Sequence, residues 1–172
     1  MAFDACADKV NEAYHFLVLM RVAELPSDGE GVPARLQGDA AFRFAFSAFT
    51  SAARSVLTLL QEEGAIVPGF TRWYVTARER WLRSESAAFF GDRREFRLVF
   101  HGGVMAVPVP QASLARTRVE PVEPVQLPDV NSDDLGGHVR FWDPPGELVT
   151  EACSRYLETL TTLVHEAEAL AK

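Results

Sequence analysis

The sequence predicts a mainly α-helical protein, a five-helix bundle with a proline-rich, partly β, hairpin-like insert before its last helix. Three observations predict it. Phe42, Phe46, Phe49, Ala53, Val56 and Leu60 recur at alternating steps of four and three, one face of a helix. Val149, Cys153, Tyr156, Leu160, Leu163, Ala167 and Leu170 repeat the same steps near the end of the chain. Between them, seven of the ten prolines fall within residues 103–145, where a helix cannot be sustained.

Bulk properties set the limits. A chain of 172 residues suits a single domain, here taken as residues 1–172 with the insert at about 103–145. Its 48% hydrophobic and 24% charged residues are those of a folded protein, not a disordered one. No apolar run approaches the roughly 20 residues that span a bilayer. The beginning of the chain lacks the basic and cleavable pattern of a secretory signal, so a cytoplasmic location without membrane attachment is expected. Cys6 and Cys153 read as free, buried thiols, the state expected in a reducing compartment. The histidines are scattered, with no metal-ligand spacing, so neither metal nor cofactor is expected.

The helices follow in order. Val10, Ala13, Tyr14, Leu17 and Met20 place a first helix at about Asp4–Leu25, and a Pro/Gly/Asp-rich loop follows it. The second helix carries the Phe42–Leu60 seam, with Ala45, Ser47, Ala48, Ser51 and Ala52 beside it to admit close neighbours. Glu62-Glu63-Gly64 ends it, Gly64 being expected as a left-handed cap. After Pro68-Gly69, a third helix sets Phe70, Trp73, Tyr74, Ala77 and Trp81 on one side and arginines on the others. A fourth is expected from Ser86 to His101, capped by Ser84 or Ser86 and stopped by Gly102-Gly103. Residues 104–110 and 119–125 read as edge strands or extended arms, since proline cannot donate to a ladder, and 138–142 as a further short strand. Asp143-Pro144-Pro145 then reads as the start of the last helix, about Pro145–Leu170, which should close the bundle against the second.

Charge narrows function further. A net charge of −7 disfavours a protein that binds nucleic acid over its whole surface. Yet seven arginines lie between Arg72 and Arg97 against four acids, while residues 119–172 hold 11 acids and three bases. Such a local basic patch suits a phosphate or an acidic partner. There is no phosphate-cradling glycine loop, nucleophile elbow or His-Glu-x-x-His pattern.

One segment offers chemistry. If residues 86–101 are helical, Arg94, Arg97 and His101 project within roughly 60° of one another. Phe89, Phe96 and Phe100 gather on a different face. Guanidiniums hold a phosphate through paired donors and stabilise developing charge. Imidazole moves protons near neutral pH. Arg94, Arg97 and His101 are therefore the candidate catalytic residues, with Arg80, Arg83 and Arg93 as candidate binding residues. The same residues also fit a structural role, His101 satisfying the last helical carbonyls and the arginines pairing with Asp92 or Glu95.

The order of these segments resembles the HEPN-like group of bacterial helical-bundle proteins. The likeness is carried by "FRFAFSAFTSAARSVLTLLQEE", "GFTRWYVTARERW" and "FFGDRREFRLVFHGG" with the C-terminal helix, over residues 5–103 and 146–171. It implies a bundle that commonly dimerises. Active members would be metal-independent RNA endonucleases of toxin or defence systems, carrying an Arg, a polar residue and then a His. Here Arg94 is followed by Glu95 and has six residues before His101, and Arg97 is followed by Leu98, so the motif is degenerate. Other members are non-catalytic partner- or ligand-binding modules; in this chain such a module would present its proline-rich insert, which lies outside the common bundle, to a partner. The partners implied are a second copy, an RNA substrate, or a protein such as an antitoxin or nucleotidyltransferase.

Overall fold

The seam from Phe42 to Leu60 lies on one long helix, α2 (Gly38–Gly64), and the core forms against it. The computed structural model describes residues 3–25, 33–84, 90, 93–100, 103–109, 138–143 and 145–172. Among these residues there are four α-helices and one three-stranded antiparallel sheet. The helices are α1 (Asp4–Ala23), α2, α3 (Phe70–Leu82) and α4 (Val149–Leu170). The strands are β1 (Glu95–Phe100), β2 (Gly103–Pro108) and β3 (Arg140–Phe141), in the order β2-β1-β3.

α1 runs antiparallel to α2, and small side chains let the two approach. Ala13, Ala45, Ala52 and Ala53 are all buried along the contact layer. The pair is fastened at one end by Glu63, whose carboxylate accepts the backbone N–H groups of Ala5 and Cys6 at 3.1 Å each. These are unpaired donors of the first turn of α1, so an acid from another helix acts as its cap. At the same end Gly64 is buried against Phe70. It does not adopt the left-handed conformation expected of it, since the positive-φ glycines are Gly38, Gly69, Gly103 and Gly146. Its requirement is space, because a Cβ there would run into the Phe70 ring. The left-handed residue is Gly69 (φ +80°), which leads into α3.

α4 lies along α1 more than along α2, a difference from the pairing expected from its seam. Arg21, near the end of α1, donates to the Ser154 hydroxyl near the start of α4 at 2.8 Å, so these two helices are antiparallel as well. Cys153 therefore sits at one end of α1 and Cys6 at the other, about 22 Å apart along a helix. Both thiols are free and buried. α4 begins at Val149 after Leu148, so Asp143 and Pro145 precede it and do not open it. Instead Gly146 (φ +89°) turns the chain, and Glu147 pairs with Arg155, eight residues further on.

Where the later part of the fourth helix is expected, Glu95–Phe100 form a strand, and residues 86–89, 91–92 and 101 lie outside the described residues. Phe100 pairs with Gly103, with only residues 101 and 102 between them, and Glu95 pairs with Pro108 at the far end. Inward-facing Phe96, Leu98 and Phe100 alternate with outward-facing Glu95 and Arg97. The physical reason is the period. Residues i and i+4 share a face in a helix and also in a strand, so Phe96 and Phe100 fit both. Leu98 decides the matter, because burying it beside them requires a period of two. The sheet thus starts about eight residues before the expected insert. The strands expected at 104–110 and 138–142 are present as β2 and β3, and that expected at 119–125 lies outside the described residues.

The inner face of the sheet packs on the first half of α2. Phe96 meets Phe46 edge-on with centroids 5.3 Å apart, Phe100 meets Phe42 at 5.9 Å, and Phe141 meets Phe46 at 6.1 Å. Phe90 fills the corner between sheet and α4, stacked on Tyr156 at 4.5 Å. Burial among these rings raises the Tyr156 phenol to about 12. Edge-to-face rings of this kind contribute about 0.5–1.5 kcal/mol each beyond the area they bury. The outer face of the sheet is left exposed among the described residues, at Val104, Ala106, Arg140 and Trp142.

Candidate functional site

The two sides of the sheet differ because the chain alternates. Phe141 and Trp142 are adjacent, so when Phe141 enters the core Trp142 must point outward. The Trp142 N–H donates to the Arg97 carbonyl at 2.8 Å, which places the two as neighbours across β1 and β3. An open cleft of about 420 Å³ lies there, lined by Arg93, Glu95, Arg97, Trp142 and Asp143.

Each side chain has an identifiable positioning force. Arg93 donates to the Asp143 carbonyl at 3.0 Å, lies 3.7 Å from its carboxylate, and has its guanidinium 5.7 Å from the centroid of the Phe96 ring. Arg97 lies 3.8 Å from Glu95, two residues away on the same face of β1. That pair is well exposed, so its attraction is weak and exchangeable for a ligand. Behind the cleft, Arg54 of α2 donates to the carbonyls of Phe90 at 2.7 Å and Arg93 at 2.6 Å. An arginine among the small residues of α2 thereby sets where β1 begins.

Of the expected site residues, the structure brings Arg93 and Arg97 together. Arg94 is exposed in the bend that precedes β1. Its carbonyl accepts the Val109 N–H at 2.9 Å. His101 lies outside the described residues. Phe100, the residue before it, is about 20 Å from Arg94 at the rise of a strand. The helical face that gathers Arg94, Arg97 and His101 is therefore not formed. Arg80 is elsewhere, paired with Glu166 at 2.5 Å near the other end of α4, and Arg83 is exposed at the end of α3. Glu166 also accepts the Trp73 indole N–H at 3.3 Å, so the Trp73/Tyr74/Trp81 group is packing for α3.

Sequence reasoning missed Trp142, Asp143, Glu95 and Arg54 as parts of the site. The signal for Trp142 was the Phe-Trp pair itself, since neighbouring aromatics on a strand cannot both enter one core. Nothing in the sequence marked Arg54.

A second cluster lies at the end of α1. Glu24 accepts the Val139 N–H at 2.8 Å and stands 3.5 Å from His138. Burial pushes its carboxyl above the usual carboxylate range, while the Val139 N–H, His138 and Arg21 pull it back. Burial also pushes the Cys6 and Cys153 thiols up, helped by neighbouring acids. Neither is a nucleophile at neutral pH, since the reactive form is the thiolate. Among the described residues no group of three or more His, Cys, Asp or Glu is placed to hold a metal ion, and no helix is long and apolar enough to cross a membrane.

Guanidinium, carboxylate and indole groups on an open sheet face make a surface for recognition. Arginine offers paired donors, and the indole offers a flat apolar face. The fold and this site define a mainly helical protein with a small sheet that holds an exposed polar-aromatic cleft. No family model, curated protein or solved structure matches the chain.

Proposed function

We propose that this chain is a non-catalytic interaction module of the HEPN-like kind, which takes a protein partner on its sheet and the proline-rich insert. The observation that carries the proposal is the outward placement of Arg97 and Trp142 across β1 and β3. The insert contains both β2 and β3, so its two described ends belong to the same sheet as the cleft. β2 is an edge strand among the described residues, and an edge can accept an extended segment through main-chain hydrogen bonds. Guanidinium and indole groups are those enriched where proteins bind one another.

The separation of Arg94 from Phe100 supports this reading over the alternative, a metal-independent RNA endonuclease using Arg94, Arg97 and His101. Self-association is part of the same proposal. The groove between α1 and α4, lined by Leu17, Arg21, Leu157 and Glu158 among others, is the surface assigned to it.

Expression of the wild-type chain and His101→Ala in a bacterial host, with cellular RNA examined in both, tests the choice. Intact RNA and equal growth support the module. RNA cleavage that disappears in His101→Ala overturns it. Deleting residues 110–136 should release a co-purifying partner, as should the pair Trp142→Ala and Arg97→Glu.

A further inference from the structure

α3 is the least embedded helix of the bundle. Of its 13 residues only Phe70, Ala77 and Trp81 are buried, and its aromatic side chains pack against the core, Phe70 on Gly64 and Phe3, Trp73 bonded to Glu166 and Tyr74 to Gln61. Its opposite face carries an apolar ridge. Val75 is 55% exposed and Leu82 49% exposed, seven residues apart and so about 10 Å apart along one line of the helix. Ile66, 86% exposed, stands in the turn that leads into the same helix.

Arginines border this ridge. Arg78 lies on one side of it and Arg72 and Arg83 on the other, all exposed, with Glu79 as the one acid of that face. At 100° per residue, these positions surround Val75 and Leu82 within roughly 100° on either side. Arg80 is set apart, since Glu166 already neutralises it. The face is therefore basic on a chain whose net charge is −7. An acidic partner is repelled by most of this surface and drawn to α3, which gives both an address and an orientation.

We infer that the exposed face of α3 is a docking surface for an acidic amphipathic helix of a partner protein, its apolar ridge packing on Val75 and Leu82 and its carboxylates on Arg72, Arg78 and Arg83. The surface is distinct from the sheet cleft, because α3 is fastened near the C-terminal end of α4 and the cleft lies before its first turn. A lipid surface is the poorer occupant. Interfacial helices bury a broad apolar face rich in large side chains. Here the large side chains, Phe70, Trp73, Tyr74 and Trp81, all pack into the bundle, leaving two aliphatic residues on the helix.

The test uses the full chain and two fluorescent synthetic helical peptides with one leucine ridge, flanked by glutamates in the first and lysines in the second. Anionic vesicles of phosphatidylserine and phosphatidylcholine form a third probe. The glutamate peptide should bind at least about tenfold tighter than the lysine peptide and weaken as salt rises. Arg72→Glu combined with Arg78→Glu and Arg83→Glu should abolish that preference, and Val75→Ser with Leu82→Ser should weaken binding of the glutamate peptide. Every substituted side chain is exposed, and an unchanged circular dichroism melt establishes that the variants fold. Equal binding of the two peptides, or unchanged affinity in the charge-reversed variant, overturns the inference. So does binding to vesicles with no binding of peptide. Loss of peptide binding in Trp142→Ala with the α3 variants unaffected assigns the peptide to the sheet cleft, and that also overturns it.

Discussion

The guanidinium of Arg54 donates to the carbonyl of Arg93 at 2.6 Å and to that of Phe90 at 2.7 Å, tying the middle of α2 to the residues just before β1. The Arg93 carbonyl belongs to no helix or strand, so there the side chain supplies what secondary structure does not. Hydrogen bonds from a charged group contribute more than neutral ones, and their loss leaves buried acceptors unpaired. Arg54→Leu should therefore lower stability by about 2–3 kcal/mol. A chemical-denaturation midpoint measures this. Because Arg93 lines the cleft, the Trp142 fluorescence of the folded variant should change as well.

Gly64 makes a separate prediction, because its constraint is space. Gly64→Ala must displace the Phe70 ring, and overpacking of this kind costs about 1–3 kcal/mol. Gly64→Ala with Phe70→Leu should recover part of the loss, whereas a glycine needed for its backbone conformation would show no such recovery. Thermal melts of the two single variants and the double variant decide between these.

Glu24 ties pH to stability. Its carboxyl is raised above the ordinary value of 4.5 chiefly by burial. The folded protein therefore holds this proton more tightly than the unfolded chain. That contribution is complete below the ordinary value and is lost as pH rises through the raised one. Glu24→Gln keeps an oxygen for the Val139 N–H and cannot ionise. Its urea midpoint should rise relative to wild type as the pH is taken from acid toward neutral. A difference that is flat with pH, or that moves the other way, contradicts this account.

Cys6 and Cys153 should be silent to thiol reagents in the native protein. Burial and nearby acids disfavour both thiolates, and Sγ of Cys6 lies 3.9 Å from the Val56 carbonyl inside the core. Labelling with a chromogenic disulfide reagent should follow the urea unfolding curve, with both thiols reacting together once the chain unfolds. Reaction of either under native conditions would place that residue nearer the surface than its burial allows.

The sequence by itself determined the helices that carry long seams. Phe42–Leu60 and Val149–Leu170 each repeat over many turns, and no strand could bury residues at those steps. It also determined that proline-rich segments flank short strands, since proline restricts the backbone wherever it falls. Two aromatic residues in a row, Phe141-Trp142, already implied that one would face outward.

Tertiary structure decided the rest, at places where the local pattern is compatible with two periods. Phe96 and Phe100 suit a helix or a strand, and only pairing of β1 with β2 and β3, packed on Phe42 and Phe46, selects the strand. That choice leaves Arg94 in the bend before β1, and brings Arg97 beside Trp142, 45 positions away in the chain. The site depends on contacts between distant segments, which a local periodicity cannot encode. Helical seams are legible because they are set by neighbours within a few turns; the cleft is not, because the strands that form it meet only in the folded chain.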